Sequence, residues 1–134
     1  MNVKLNFKQI IIAGLIAACF SVVLNSILFF IFQSAGVITD TVYIQPNEPL
    51  TVIAVIISSV FPTLLGACVF FLFEKYTNNG FKLFSIIAIV LMLLSLISPF
   101  TAIKDMPVSY GIVLDVMHVV VAFSLLYFIK RAKK

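Results

Sequence analysis

Asp115 and His118 are the residues of this chain whose types and spacing point most directly to chemistry. They stand three apart inside a long apolar run, so on a helix they share a face and one turn. A carboxylate at that depth costs about 2.5–3.5 kcal/mol on insertion scales, and an intramembrane acid marks a functional site by default. Two protonation arrangements are open to the pair. Desolvation favours a neutral acid beside a neutral imidazole, and mutual attraction favours the ion pair. A change in water access would tip that balance, as a proton relay requires. The same two residues would equally serve as a satisfied pair that pins one helix against its neighbours.

Four apolar runs must position them. With 63% hydrophobic residues, 10% charged residues and a mean hydropathy of +1.22, a 134-residue chain has too little charge to clothe a water-soluble surface. The runs extend from about Ile10 to Phe32, Leu50 to Phe73, Leu83 to Ile103 and Val108 to Ile129. Each reaches the roughly 20 residues a helix needs to cross a hydrocarbon core. No period-two alternation of a membrane strand is visible, and backbone groups in lipid must be satisfied within their own segment. The expected fold is therefore all-α, a single integral membrane four-helix bundle.

Asn47 is placed to cap the second helix, with Pro49 in its first turn. Asn78-Asn79-Gly80 is a turn signal, and Lys104-Asp105-Met106-Pro107 makes a tight hairpin before the fourth helix. Such short links imply antiparallel neighbours and an up-down-up-down arrangement. Pro62 should kink the second helix or loosen its hydrogen bonding.

The net charge of +4 is carried in short caps between apolar runs, so it speaks of orientation and excludes a nucleic-acid face. Lys4, Lys8, Lys75, Lys82, Lys130, Arg131, Lys133 and Lys134 fall on one side; Lys104 lies opposite with Asp40, Glu48 and Asp105. The positive-inside rule then places both termini in the cytoplasm of a bacterial plasma membrane protein. Ile16-Ala17-Ala18-Cys19 has the look of a lipoprotein cleavage box, but Phe20 to Phe32 stays apolar where a lipoprotein would turn polar. The first segment is expected to remain a helix. Cys19 and Cys68 form no redox motif.

With each helix centred in the membrane, Asn25 falls roughly 6 Å outside the midplane at 1.5 Å per residue. Ser58, Ser59, Ser95 and Asp115 come out a few ångströms from the midplane, and His118 near it. The faces agree with the depths: Gly14, Ala18, Ser21 and Asn25 share one stripe, as do Ser59, Pro62, Thr63 and Gly66. Ser85, Ala88, Met92 and Ser95 form a third, and Gly111, Asp115, His118 and Ala122 a fourth. Small residues at this spacing bring membrane helices together, so packing accounts for most of the serines, and Asn25 has the chemistry to bridge two helices. The candidate polar site is Asp115, His118, Asn25, Ser58, Ser59 and Ser95. A single histidine and a single membrane acid make neither a metal site nor a cofactor site. No strained Gly-x-Ser-x-Gly turn presents a nucleophile, so an enzyme is not expected. The loop from Ser34 to Pro49 contains β-forming Thr39 to Ile44; it reads first as the connection a long first hairpin requires, and second as a lid over the bundle mouth with Tyr43 at the interface.

Three motifs carry a resemblance: the Gly14-to-Asn25 stripe, Pro49-Leu50 followed by mid-helix Pro62, and Leu114-Asp115-Val116-Met117-His118. With them, nearly the whole chain resembles a family of small bacterial four-helix membrane proteins known as a domain of unknown function. The resemblance implies the fold and a membrane location, and no activity. Besides an intramembrane enzyme with a serine nucleophile beside Asp115 and His118, which ranks last, two roles follow from the residues themselves. One is an accessory or structural membrane protein, whose partners are the bilayer, a second copy or another membrane protein. The other is a small proton- or cation-coupled transporter built on Asp115 and His118.

Overall fold

A computed structural model describes residues 3–45 and 48–134. Among these residues four helices are long and apolar enough to span a membrane, and they pack into an all-α bundle. Helix α1 (Phe7–Ser34) starts at a capping box, in which the Gln9 N–H donates to Asn6 Oδ1 at 2.8 Å. In return the Asn6 N–H donates to Gln9 Oε1 at 3.0 Å, so two otherwise orphaned amides are satisfied. The helix runs unbroken through Cys19, as expected, and ends where Gly36 takes a φ of +77°. That left-handed turn lets the N–H groups of Val37 and Ile38 close back onto the Phe32 carbonyl.

The loop that follows forms a small antiparallel hairpin, β1 (Tyr43–Gln45) and β2 (Glu48–Pro49), with Tyr43 paired to Pro49. This changes the start of α2 (Val52–Tyr76). Pro49 belongs to the hairpin, and Thr51 caps the helix by accepting from the Ala54 N–H at 3.2 Å. Asn47, the cap expected from sequence, lies outside the described residues. The cause is the hairpin, which keeps the chain extended past the point where helix was expected. Ile38, Val42 and Leu50 are buried against Phe29, Tyr110 and Met117, so the loop is anchored to this end of the bundle.

Helix α2 continues through Pro62. The proline has no amide hydrogen, so the Ser58 carbonyl lacks its usual helical donor. The third span differs from expectation. It is broken into α3 (Gly80–Ser95) and a short α4 (Ser98–Ala102), because Pro99 sits at the start of the second piece and cannot donate to the Ser95 carbonyl. At the break the Ser95 hydroxyl donates to the Met92 carbonyl at 2.6 Å. The turn at Lys104–Asp105 forms as expected, with Asp105 at a φ of +55°, and α5 (Val108–Ala132) follows.

Helix α1 lies along α2 and α5 for most of its length, and its small stripe is what allows this. Gly14, Ala18, Ser21 and Asn25 are all buried. A Cβ on Gly14 would stand 2.8 Å from the Ala67 Cβ, so only glycine permits this approach. The apolar core is divided in two. One cluster, around Ile10, Phe70, Phe84 and Ile129, fills the end that carries the chain termini. The other, around Phe29, Val55, Tyr110 and Met117, fills the hairpin end. The buried polar side chains Ser21, Asn25, Ser59 and Thr63 lie on the α1 and α2 positions between the two.

The α3–α4 span is fully buried only near its ends. At the terminal end the Phe84 ring meets Phe70 edge-on at 5.3 Å. At the hairpin end Pro99 is buried, and the Phe100 ring fills the place where a side chain on Gly111 would be. On α3 itself only Gly80 and Phe84 are buried. The middle of the span therefore stands off from α2 and α5.

Candidate functional site

The stand-off leaves a groove of about 510 Å³ between α2, α3 and α5. Its walls are apolar for most of their extent, with Leu65, Val69, Leu91, Val121 and Leu125 among the lining residues. Five of the six candidate site residues line it: Asn25, Ser58, Ser59, Ser95 and His118. Asp115 does not. Side chains from α1, α2, α3 and α5 thus converge on one space, as their shared depth suggested.

Asn25 is enclosed almost completely, at 2% exposure. Its Nδ2 donates to Ser59 Oγ at 2.9 Å and to the Met117 carbonyl at 3.3 Å, so one amide joins α1 to both α2 and α5. The Met117 carbonyl fixes which way the amide points, because only an NH₂ can face an oxygen that solely accepts. Asn25 Oδ1 is then left buried without a partner. Ser59 passes its own proton to the Val55 carbonyl at 2.8 Å, and Thr63 does the same toward the Ser59 carbonyl at 2.6 Å. Ser58 donates to the Val55 carbonyl at 3.1 Å.

The Asp115–His118 pair does not form. His118 Nδ1 donates to the Leu114 carbonyl at 2.7 Å, within its own helix, and the ring is exposed at the groove. Asp115 is half-buried, and its Oδ1 has no hydrogen-bond partner. The physical reason is local. A carbonyl one turn back is always within reach of a helical histidine, whereas residues three apart meet only if both rotamers turn inward. Ser58 is also exposed; Pro62 is exposed and Gly66 and Ser95 are half-buried, so the expected inward stripes are complete only on α1. Among the described residues no group of three His, Cys, Asp or Glu side chains is placed to hold a metal ion.

Two buried polar residues were not legible as such. Glu74, at 3% exposure, accepts from the Leu5 N–H at 3.0 Å and from Lys133 Nζ. Lys133 also donates to the Val3 carbonyl at 2.9 Å, so Glu74 clasps both ends of the chain to the end of α2. Gly80 permits it: a Cβ there would lie 2.8 Å from Glu74 Cα. The available signal was an acid between Phe73 and Lys75 in the lysine-rich flank of a span. Tyr110 is fully buried, and its hydroxyl has no partner.

The protein is thus a small transmembrane helix bundle with a polar-lipped groove and an ionic clasp at its terminal end. No curated protein and no solved structure matches the chain. A family model does, over residues 6–134, and the chain belongs to that family, DUF6069, a family of unknown function.

Proposed function

We propose that this is an accessory membrane protein that works by binding, and that its groove takes up an apolar molecule sideways from the bilayer. The observation that carries this is the groove itself: about 510 Å³ of mostly apolar space, with polar groups gathered on one stretch of wall. That is the composition of a ligand site, an apolar lining with a few placed polar atoms. A structural bundle would close such a space with larger side chains at Ala88 and Ala122, both of which line it. Catalysis has no support here, since the serine protons go to backbone carbonyls and the acid lies off the groove.

The charge pattern supports a bundle in up-down-up-down order with both termini in the cytoplasm, and the family resemblance supports a bacterial plasma membrane. The contact between Lys133 and Val3 fits two termini on one side. The partners are then the bilayer, the bound molecule and, through the exposed face of α3, a second copy or another membrane protein.

The test is retention of lipid. The protein is purified in mild detergent, and native mass spectrometry reads what stays bound to wild type and to Ala88→Trp, which fills the groove. Retained apolar species should disappear in the variant. Equal retention by both would exclude the groove as the binding site.

A proton- or cation-coupled carrier is the second function, favoured by one observation, that His118 reaches the groove. It predicts that Asp115→Asn abolishes a pH-driven flux in proteoliposomes. The binding function predicts no effect of that substitution on lipid retention.

A further inference from the structure

Resting on the proposal that the groove binds an apolar molecule, the hydrogen-bond inventory of its wall specifies the polar end of that molecule. Every donor on the lining is already committed. Ser58 and Ser59 give their protons to the Val55 carbonyl, and Ser95 gives its proton to the Met92 carbonyl. Both Asn25 donor contacts stay within the bundle, to Ser59 and to Met117. The His118 Nδ1 proton goes to the Leu114 carbonyl, so in the neutral ring Nε2 keeps only a lone pair.

What remains is accepting capacity. Asn25 Oδ1 is unpartnered, the serine oxygens retain lone pairs, and Pro62 deprives the Ser58 carbonyl of its helical donor. Buried acceptors are stabilised by a ligand that brings a donor and are indifferent or worse toward one that brings another acceptor. Among the described residues no lysine, arginine or carboxylate lines the groove, so neither a phosphate nor an ammonium would find a counter-charge.

The shape adds a second constraint. Along α2 the lining runs from Val55 to Phe73, roughly 27 Å at the helical rise. That length accommodates an extended hydrocarbon chain. Asn25, the serines and His118 occupy the half nearer the hairpin, and Val69, Phe73 and Phe84 line the half nearer the termini.

We infer that the groove binds a neutral amphiphile carrying a free hydroxyl, which gives its one proton to this group of acceptors on the hairpin half of the wall. Its hydrocarbon tail lies between α2 and α3 toward Phe84.

A matched pair of probes isolates the donor: oleyl alcohol and its methyl ether, which keeps the chain and the oxygen but has no proton to give. Protein in nanodiscs is exposed to each, and native mass spectrometry measures occupancy. The alcohol should bind at least about fivefold better, the weight of one net hydrogen bond. His118→Phe changes an exposed side chain and should narrow that preference, and Asn25→Leu should narrow it further. Equal binding of alcohol and ether, blocked by Ala88→Trp, would overturn the donor requirement and leave the binding function standing. Binding of neither probe, binding that Ala88→Trp does not block, or a groove filled by a second copy would overturn both.

Discussion

Asn25→Leu separates an asparagine that holds the bundle together from one that serves a ligand. Asn25 makes two donor contacts, at 2.9 Å to Ser59 and 3.3 Å to Met117. Interhelical contacts of this kind average about 0.6 kcal/mol in measured membrane proteins, so together they contribute about 1.2 kcal/mol. Against them stands Oδ1, buried with no partner, at a cost of about 1–3 kcal/mol. Leucine has the same branching, removes the orphaned acceptor and keeps the packing with Ser59 and Met117. The two terms oppose each other, so Asn25→Leu is expected to be neutral to stabilising by about 1 kcal/mol. Asn25→Ala also loses volume and should be less stable than the leucine variant by about 1–2 kcal/mol. Reversible unfolding from bicelles by added SDS, followed by circular dichroism, measures both. The reasoning fails if Asn25→Leu loses more than about 2 kcal/mol, because the donor contacts would then outweigh the stranded acceptor.

Three further outcomes follow from particular contacts. Gly14→Val should destabilise the bundle by about 1–3 kcal/mol in the same unfolding assay, since even a Cβ at this position lies 2.8 Å from Ala67. Glu74→Ala removes the acceptor for Lys133 and for the Leu5 amide; the expected loss is about 1–3 kcal/mol, below the range for fully buried pairs because the Lys133 ammonium can swing into water. Hydrogen exchange at the Leu5 amide should accelerate in that variant, and unchanged protection would show that the clasp does not hold the amino-terminal segment. Tyr110→Phe takes away a buried hydroxyl without a partner and should leave stability unchanged or raise it by about 1 kcal/mol; a clear loss would reveal a hydrogen bond that the structure lacks.

The spans were legible because hydropathy over twenty residues is a bulk property, and helix is the local answer to burying a backbone in lipid. The fourth helix begins at Val108, where the Pro107 boundary put it. The α1 stripe was legible too, since Gly14, Ala18, Ser21 and Asn25 mark a face by size alone. The start of α2 was misplaced because cap-forming residues occur at Asn47 and again at Thr51, and only the hairpin between α1 and α2 decides which is used. The break at Pro99 was overlooked because Ser95 to Thr101 is apolar enough to continue a span.

By itself, then, the sequence determined four membrane-spanning segments, the face α1 buries, and the depth at which polar residues gather. These depend on period, length and composition, which are properties of a chain read one helix at a time. Tertiary structure alone decided the partners. His118 turned to its own backbone and left Asp115 unpaired, while Asn25 tied together three helices. Glu74 found the other end of the chain at Lys133. The groove belongs to no single segment: it exists because Phe84 and Phe100 hold one span at its two ends and nothing large fills the middle. A void is the difference between shapes brought together from separate elements, so it has no signature in the pattern of any one of them.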